Sequence, residues 1–169
     1  MLSTQKIIVI ATIAISASSV FYGCAKDEKT PLDEWLIEES LRNDLVYYKG
    51  QDQLLDPKGS SPHPHFKLLF NPKAASVLDA SGKLPIGASF PDSSLVLKVT
   101  YKPNGEDIKE LVPMYKLSTS EYSENGWLWA KYSPTGSKAL YSVSNKGDKC
   151  ASCHSSSGNR DFTLAFDLH

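Results

Sequence analysis

Short apolar runs punctuated by Gly, Pro, Asn and Ser clusters dominate this chain after residue 65, the pattern of strands joined by turns. Phe66–Phe70 and Leu95–Tyr101 predict strands, the second strongly, because Val, Leu and Thr fill it without a breaker. Pro103-Asn104-Gly105-Glu106 predicts a turn, so residues 108–117 return as an antiparallel partner, with Pro113 at an edge or bulge. Trp127–Tyr132 and Ala139–Val143 follow as further strands across a turn at 133–136, and Phe162–Phe166 predicts a closing strand. Helical signals are fewer. Thr30-Pro31 with Asp33 and Glu34 reads as a helix start, and Leu32, Trp35, Leu36, Leu41 and Leu45 give an approximate stripe. Asn71 caps a short helix over residues 73–79. Residues 50–65 and 82–93 read as loops. The expected class is α+β: a predominantly antiparallel sheet with a few short helices.

The first residues have a different pattern. Lys6 precedes an apolar run, Ile7–Ile15, then small residues Ser16–Ser19, then Gly23-Cys24. This is the layout of an export signal, too short for a comfortable membrane span. Gly23-Cys24 reads as a lipoprotein cleavage site, although Phe21 and Tyr22 depart from its usual small residues. An ordinary signal peptide cut nearby, or an uncleaved anchor, is the alternative. The expected organisation is a signal peptide over 1–23, a tether and helix over 24–49, and a main domain over 50–169, with 24–169 as one folded unit. Lipidation of Cys24 would hold the protein on the periplasmic face of a bacterial membrane. Charge excludes one class of partner. The chain has 18 basic and 19 acidic residues with no basic stripe, which argues against nucleic acid.

The candidate chemistry lies near the end. Cys150-Ala151-Ser152-Cys153-His154 is the attachment pattern for c-type haem. Two thiols at this spacing share one helix face and can each form a thioether with a porphyrin vinyl group. His154 would follow as the iron ligand. A disulfide or thioredoxin-like pair is the rival reading, but that motif favours a βαβ setting. A structural zinc site needs four ligands, and the chain has only three cysteines in all. A haem needs apolar walls, for which Phe66, Phe70, Phe90, Trp127 and Trp129 are the candidates. Met114, His63 and His65 are weighed as sixth ligands, each with a plainer reading as core or surface. His169 is expected to be exposed or disordered. Lys67, Lys73 and Lys83 read as surface residues.

Several segments together resemble one family. Phe70-Asn71-Pro72 ends a strand and enters a short helix. Phe90-Pro91-Asp92-Ser93-Ser94-Leu95-Val96-Leu97-Lys98 is similar to a pattern F-P-x-G-x-x-x-V-K, with Ser93 in place of glycine. Gly126-Trp127-Leu128-Trp129 precedes the haem motif, and Asp161-Phe162-Thr163 follows it. Over about residues 60–168 the chain thus resembles the cytochrome P-460 family and its relative cytochrome c-prime-beta. The resemblance implies one covalent haem c and leaves two chemistries open. Cytochrome P-460 proteins oxidise hydroxylamine with a haem also tied to a lysine; the c-prime-beta relatives keep an open iron site and bind gases such as nitric oxide. The linking lysine is expected near the helix and turn after Asn71-Pro72, where the chain has Leu78-Asp79-Ala80-Ser81, with Lys73 and Lys83 only nearby. The departure favours binding of small nitrogen-oxide or diatomic ligands. A hydroxylamine-oxidising enzyme and an electron carrier are the alternatives. The expected partners are a gaseous ligand, a redox partner cytochrome, the membrane and a second copy in a homodimer.

The lipid anchor rests on Cys24 alone. Cys24→Ser is expected to move the protein from the detergent phase to the aqueous phase in a phase-partition assay. An unchanged distribution would rule out the lipid anchor.

Overall fold

The computed structural model describes residues 29–169 apart from 60, 157 and 159. The export signal and Cys24 lie outside the described residues. None of the described helices is long and apolar enough to cross a membrane.

Helix α1 spans Pro31–Ser40, and Thr30 caps it through a reciprocal capping box with Asp33. The chain then forms β1 (Val46–Tyr47), β2 (Phe66–Phe70), α2 (Pro72–Ala75), β3 (Leu95–Tyr101) and β4 (Ile108–Lys116). It continues through β5 (Trp127–Trp129), β6 (Lys131–Tyr132), β7 (Ala139–Tyr141), α3 (Asp148–His154) and α4 (Ala165–Leu168). All seven strands join one antiparallel sheet in the order β1-β2-β3-β4-β6-β7, and β5 also pairs with β4. The expected class is the observed one.

Strand alternation splits the core in two. Leu95, Leu97 and Val99 of β3 join Leu111, Tyr115, Leu128 and Tyr132 in a cluster with Leu36 and Ile37 of α1. Phe66, Leu68, Phe70, Val96, Met114, Trp127 and Trp129 face the other way, where Ala151 of α3 and Phe166 of α4 join them. The register aligns Phe70, Val96, Met114 and Trp129 in one row across four strands. That second face carries the candidate site.

Two turns fix how β3 begins. The Asn71 side-chain oxygen accepts from Ala74 N (2.9 Å) and Leu95 N (3.0 Å), while its amide donates to the Ser93 carbonyl (2.8 Å). Ser93 has φ 72°, a conformation suited to the glycine of the resembled pattern.

Three expectations change. Residues 162–166 form no strand: Asp161 and Phe162 have φ 47° and 65°, which breaks extended structure, and α4 follows. Phe166 instead stacks on Phe70 (centroids 5.9 Å). Pro113 sits inside β4, where its neighbour changes from β5 to β6, so the missing N–H falls at a break in the sheet rather than at its edge. Leu41 does not continue the stripe of α1. It is the C-cap and is exposed.

Asp33 locks α1 onto the sheet. It is fully buried and accepts hydrogen bonds from Tyr132 Oη (2.9 Å), Ser142 Oγ (2.6 Å) and Val143 N (3.0 Å). Burial pushes its carboxyl up, but the hydrogen bonds from Ser142, Thr30 and Val143 together outweigh that and hold it below 3.8. Asp33→Ala orphans buried donors and is expected to cost about 3 kcal/mol in urea unfolding. Because the folded carboxyl titrates below its unfolded value, this contribution is present at neutral pH and is lost as pH falls below about 4. Asp33→Asn is expected to flatten that acid limb of the stability curve.

Candidate functional site

Helix α3 presents the motif. Its N-cap is Gly147 at φ 67°, preceded by Lys146 at φ 52°, so the chain reverses sharply out of a short 3-10 turn. A side chain at Gly147 would run into the Trp129 ring, so glycine is needed both for conformation and for space. Asp148 lies in the first turn, favourable at a helix N-terminus, and its carboxylate accepts from Tyr141 Oη (3.0 Å). Cys150 and Cys153 fall three residues apart on one helix face and are both free thiols. Burial pushes the Cys150 thiol up, so it is neutral in the folded chain.

His154 closes the helix. Its Nδ1–H donates to the Phe162 carbonyl (2.8 Å), and its ring stands edge-on to Trp129 (centroids 5.0 Å). A carbonyl can only accept, so Nδ1 carries the proton and Nε2 keeps its lone pair. Burial drives the imidazole down to about 4, against the opposing pull of the Phe162 bond. The ring is therefore neutral at ordinary pH, the form in which histidine binds metals.

Cys150, Cys153 and His154 share a cavity of about 620 Å³ whose sheet wall includes Phe66, Leu68, Val96 and Met114. That volume suits a cofactor-sized ligand. Its polar lining is one-sided: Lys58, Lys98, Lys131 and Lys149 contribute, with no Asp or Glu among the described lining residues. Two thiols at attachment spacing, a neutral imidazole held through Nδ1, apolar walls and a surplus of cations fit a haem, which carries two carboxylates. Cys150 and Cys153 could hold it covalently and His154 could ligate its iron.

Of the sequence candidates for the walls, Phe66 and Trp129 line the cavity. Phe70, Phe90 and Trp127 belong to the core beside it: Phe70 stacks on Phe166, and Phe90 stands edge-on to Trp127 (5.7 Å). Met114 and His63 both line the cavity, and burial takes the His63 imidazole down to about 3. His65 points elsewhere and pairs with Asp56 (2.9 Å). His169 was expected outside; instead it lines the cavity, edge-on to Phe66 (5.5 Å), with its Nε2 buried and unpartnered. Lys73 is exposed, Lys67 pairs with Asp52, and Lys83 Nζ donates to the Phe166 carbonyl (2.7 Å).

Lys98, quoted in the sequence only as the last residue of the resembled pattern, was not weighed there as a site residue. It occupies the middle of β3 between Leu68 and Val112, on the same face as Val96. Its ammonium lies over the Phe66 ring at 4.5 Å, and burial lowers it to about 8. A lysine inside an otherwise apolar strand, at the parity of Val96, was the available signal.

A family model described as Cytochrome P460 matches residues 48–165, well over half of the chain. A search of curated proteins finds no match.

Gly147→Ala is expected to destabilise the protein by about 1–3 kcal/mol, through backbone strain and displacement of Trp129. Urea unfolding measures the loss. Haem content per chain is expected to fall with it, because the same shift moves the start of α3.

Proposed function

The chain belongs to the cytochrome P460 family, and from that premise we propose that this c-type cytochrome carries one covalent haem c whose outer iron position binds a small nitrogen-oxide or diatomic ligand. Cys150 and Cys153 hold the haem through thioethers, and His154 Nε2 is the protein ligand. When bound, the haem supplies an iron that takes up the ligand and exchanges electrons with it. The chain's own residues do the rest. The Phe162 carbonyl keeps the proton on His154 Nδ1 and fixes the ring. Phe66, Leu68 and Val96 exclude water from the cavity. Lys58 and Lys149 stand at the same cavity to neutralise the haem carboxylates, beside Lys131, which is paired with Glu110 (3.2 Å). Export and lipidation at Cys24 would put this chemistry on the periplasmic face of a membrane, within reach of a redox partner cytochrome. The single observation that carries the reading is the shared cavity of Cys150, Cys153 and a neutral, oriented His154.

One observation favours a second reading. Enzymes of the resembled family tie a lysine to the haem in order to oxidise hydroxylamine. Lys98 lines the cavity, has no carboxylate partner among the described residues, and titrates at about 8. An amine so lowered is uncharged in a sizeable fraction of molecules near neutral pH, which makes it a better nucleophile than a surface lysine. Of the two lysines nearest to the expected position, Lys73 is exposed and Lys83 donates to the Phe166 carbonyl, and neither lines the cavity.

The intact protein is expected to weigh one haem more than its polypeptide and to keep that haem through acid extraction. Cys150→Ala with Cys153→Ala should abolish the covalent haem. The ferrous protein is expected to be five-coordinate and to shift its spectrum on adding carbon monoxide or nitric oxide. Haem released by extraction would overturn the reading. A six-coordinate low-spin spectrum that Met114→Ala turns high-spin would make the protein an electron carrier. A haem-linked Lys98 peptide with rapid hydroxylamine oxidation would select the enzyme.

A further inference from the structure

The orientation of His154 depends on one backbone carbonyl, that of Phe162, and the chain holding that carbonyl is unusual. Asp161 and Phe162 are consecutive non-glycine residues at φ 47° and 65°. Such a pair persists only where surrounding contacts fix it. The contacts converge on the Asp161 carboxylate, whose side chain is 7% exposed. It accepts from Lys116 Nζ (2.8 and 3.1 Å), from Trp127 Nε1 (3.2 Å) and from Phe90 N (2.8 Å). Lys116 is itself 12% exposed and lies over the Trp127 ring at 4.8 Å. Three separate parts of the fold, β4, β5 and the loop before β3, therefore grip one carboxylate. The next residue supplies the acceptor for the imidazole.

We infer that Asp161 is a positioning residue for His154, acting through the Phe162 carbonyl to set the direction and electron-donating strength of the iron-ligating imidazole. Asp161 does not line the cavity, so it is not a binding residue. It acts on the acceptor. With the carboxylate held, the carbonyl stays on Nδ1–H and the imidazole keeps its partial anionic character, which favours the ferric state. With the carboxylate removed, Lys116 and Trp127 lose their partner, residues 161–162 relax out of the left-handed region, and the acceptor moves away. The inference rests on the proposed haem ligation by His154, and its test separates the two.

The test uses the full haem-loaded protein. Ferrous resonance Raman reports the iron–histidine stretch, and redox titration reports the midpoint potential. Asp161→Ala is expected to keep the covalent haem while lowering and broadening the iron–histidine band and raising the potential. Lys116→Gln, which removes one partner and leaves the carboxylate in place, is expected to give a smaller shift in the same direction, and it stands in should Asp161→Ala not fold. Asp33→Asn is the control: it alters another hydrogen-bonded, buried carboxylate, in the other core, and is expected to lower stability while leaving band and potential unchanged. A native band and potential in Asp161→Ala, or in Lys116→Gln should that be the variant that folds, would overturn the inference while leaving haem ligation intact. Shifts of equal size in Asp33→Asn would also overturn it, since general loosening would then account for them. Native protein without haem, or without an iron–histidine band, would instead refute the ligation on which the inference stands.

Discussion

Strand β3 is covered on both faces, so each of its residues belongs to one of two cores, and the parity of the strand decides which. Leu95, Leu97 and Val99 pack beneath α1; Val96 and Lys98 turn toward the cavity. A slip of one residue would exchange the two sets, burying Lys98 against Leu36 and removing the cavity's inner cation. The register is secured at the start of the strand, where Asn71 grips Leu95 N and the Ser93 carbonyl at once. Everything that the second face offers a cofactor follows from that setting.

Charge is distributed between the two cores with a consistent logic. Buried carboxylates serve as clamps: Asp33 ties α1 to β6 and the turn after β7, and Asp161 ties the loop after α3 to β4 and β5. The cavity has the opposite bias, with lysines and histidines and no described acid in its lining. Burying a charge without a partner is costly. Lys98 accordingly titrates low, and the arrangement favours an occupant that brings negative charge with it.

Much of this was legible in the sequence because it is local. The Cys-x-x-Cys-His run, the helix start at Thr30-Pro31, the Asn71 cap and the strands over 66–70, 95–101 and 108–116 each follow from neighbours along the chain. Even Ser93 in a glycine's place was a visible signal, and its positive φ explains it. What was not legible depends on distant partners. Phe162–Phe166 has strand composition, but a carboxylate grip on Asp161 bends it and Phe166 is drawn onto Phe70. Phe70 and Phe90 are aromatic enough to line a haem, yet both are spent on packing beside the cavity, Phe70 on Phe166 and Phe90 against Trp127. His169 was expected outside because terminal residues usually are, while the short helix α4 folds it back against Phe66.

The order in which the parts occur along the chain has a consequence for assembly. The last sheet strand ends at Tyr141, and the two thiols come only afterwards, at Cys150 and Cys153. A polypeptide delivered N-terminus first thus has every strand of the cavity's inner wall available before either thiol emerges. On the proposed haem attachment, the porphyrin would meet an apolar surface already in place and be secured from the outside, in the manner of a panel set into a frame and then pinned. Cys153 is exposed while Cys150 is half-buried, so the pinning has an accessible side and a sheltered side. On the same proposal, a thioether at the sheltered Cys150 would need the incoming segment to be still unfastened.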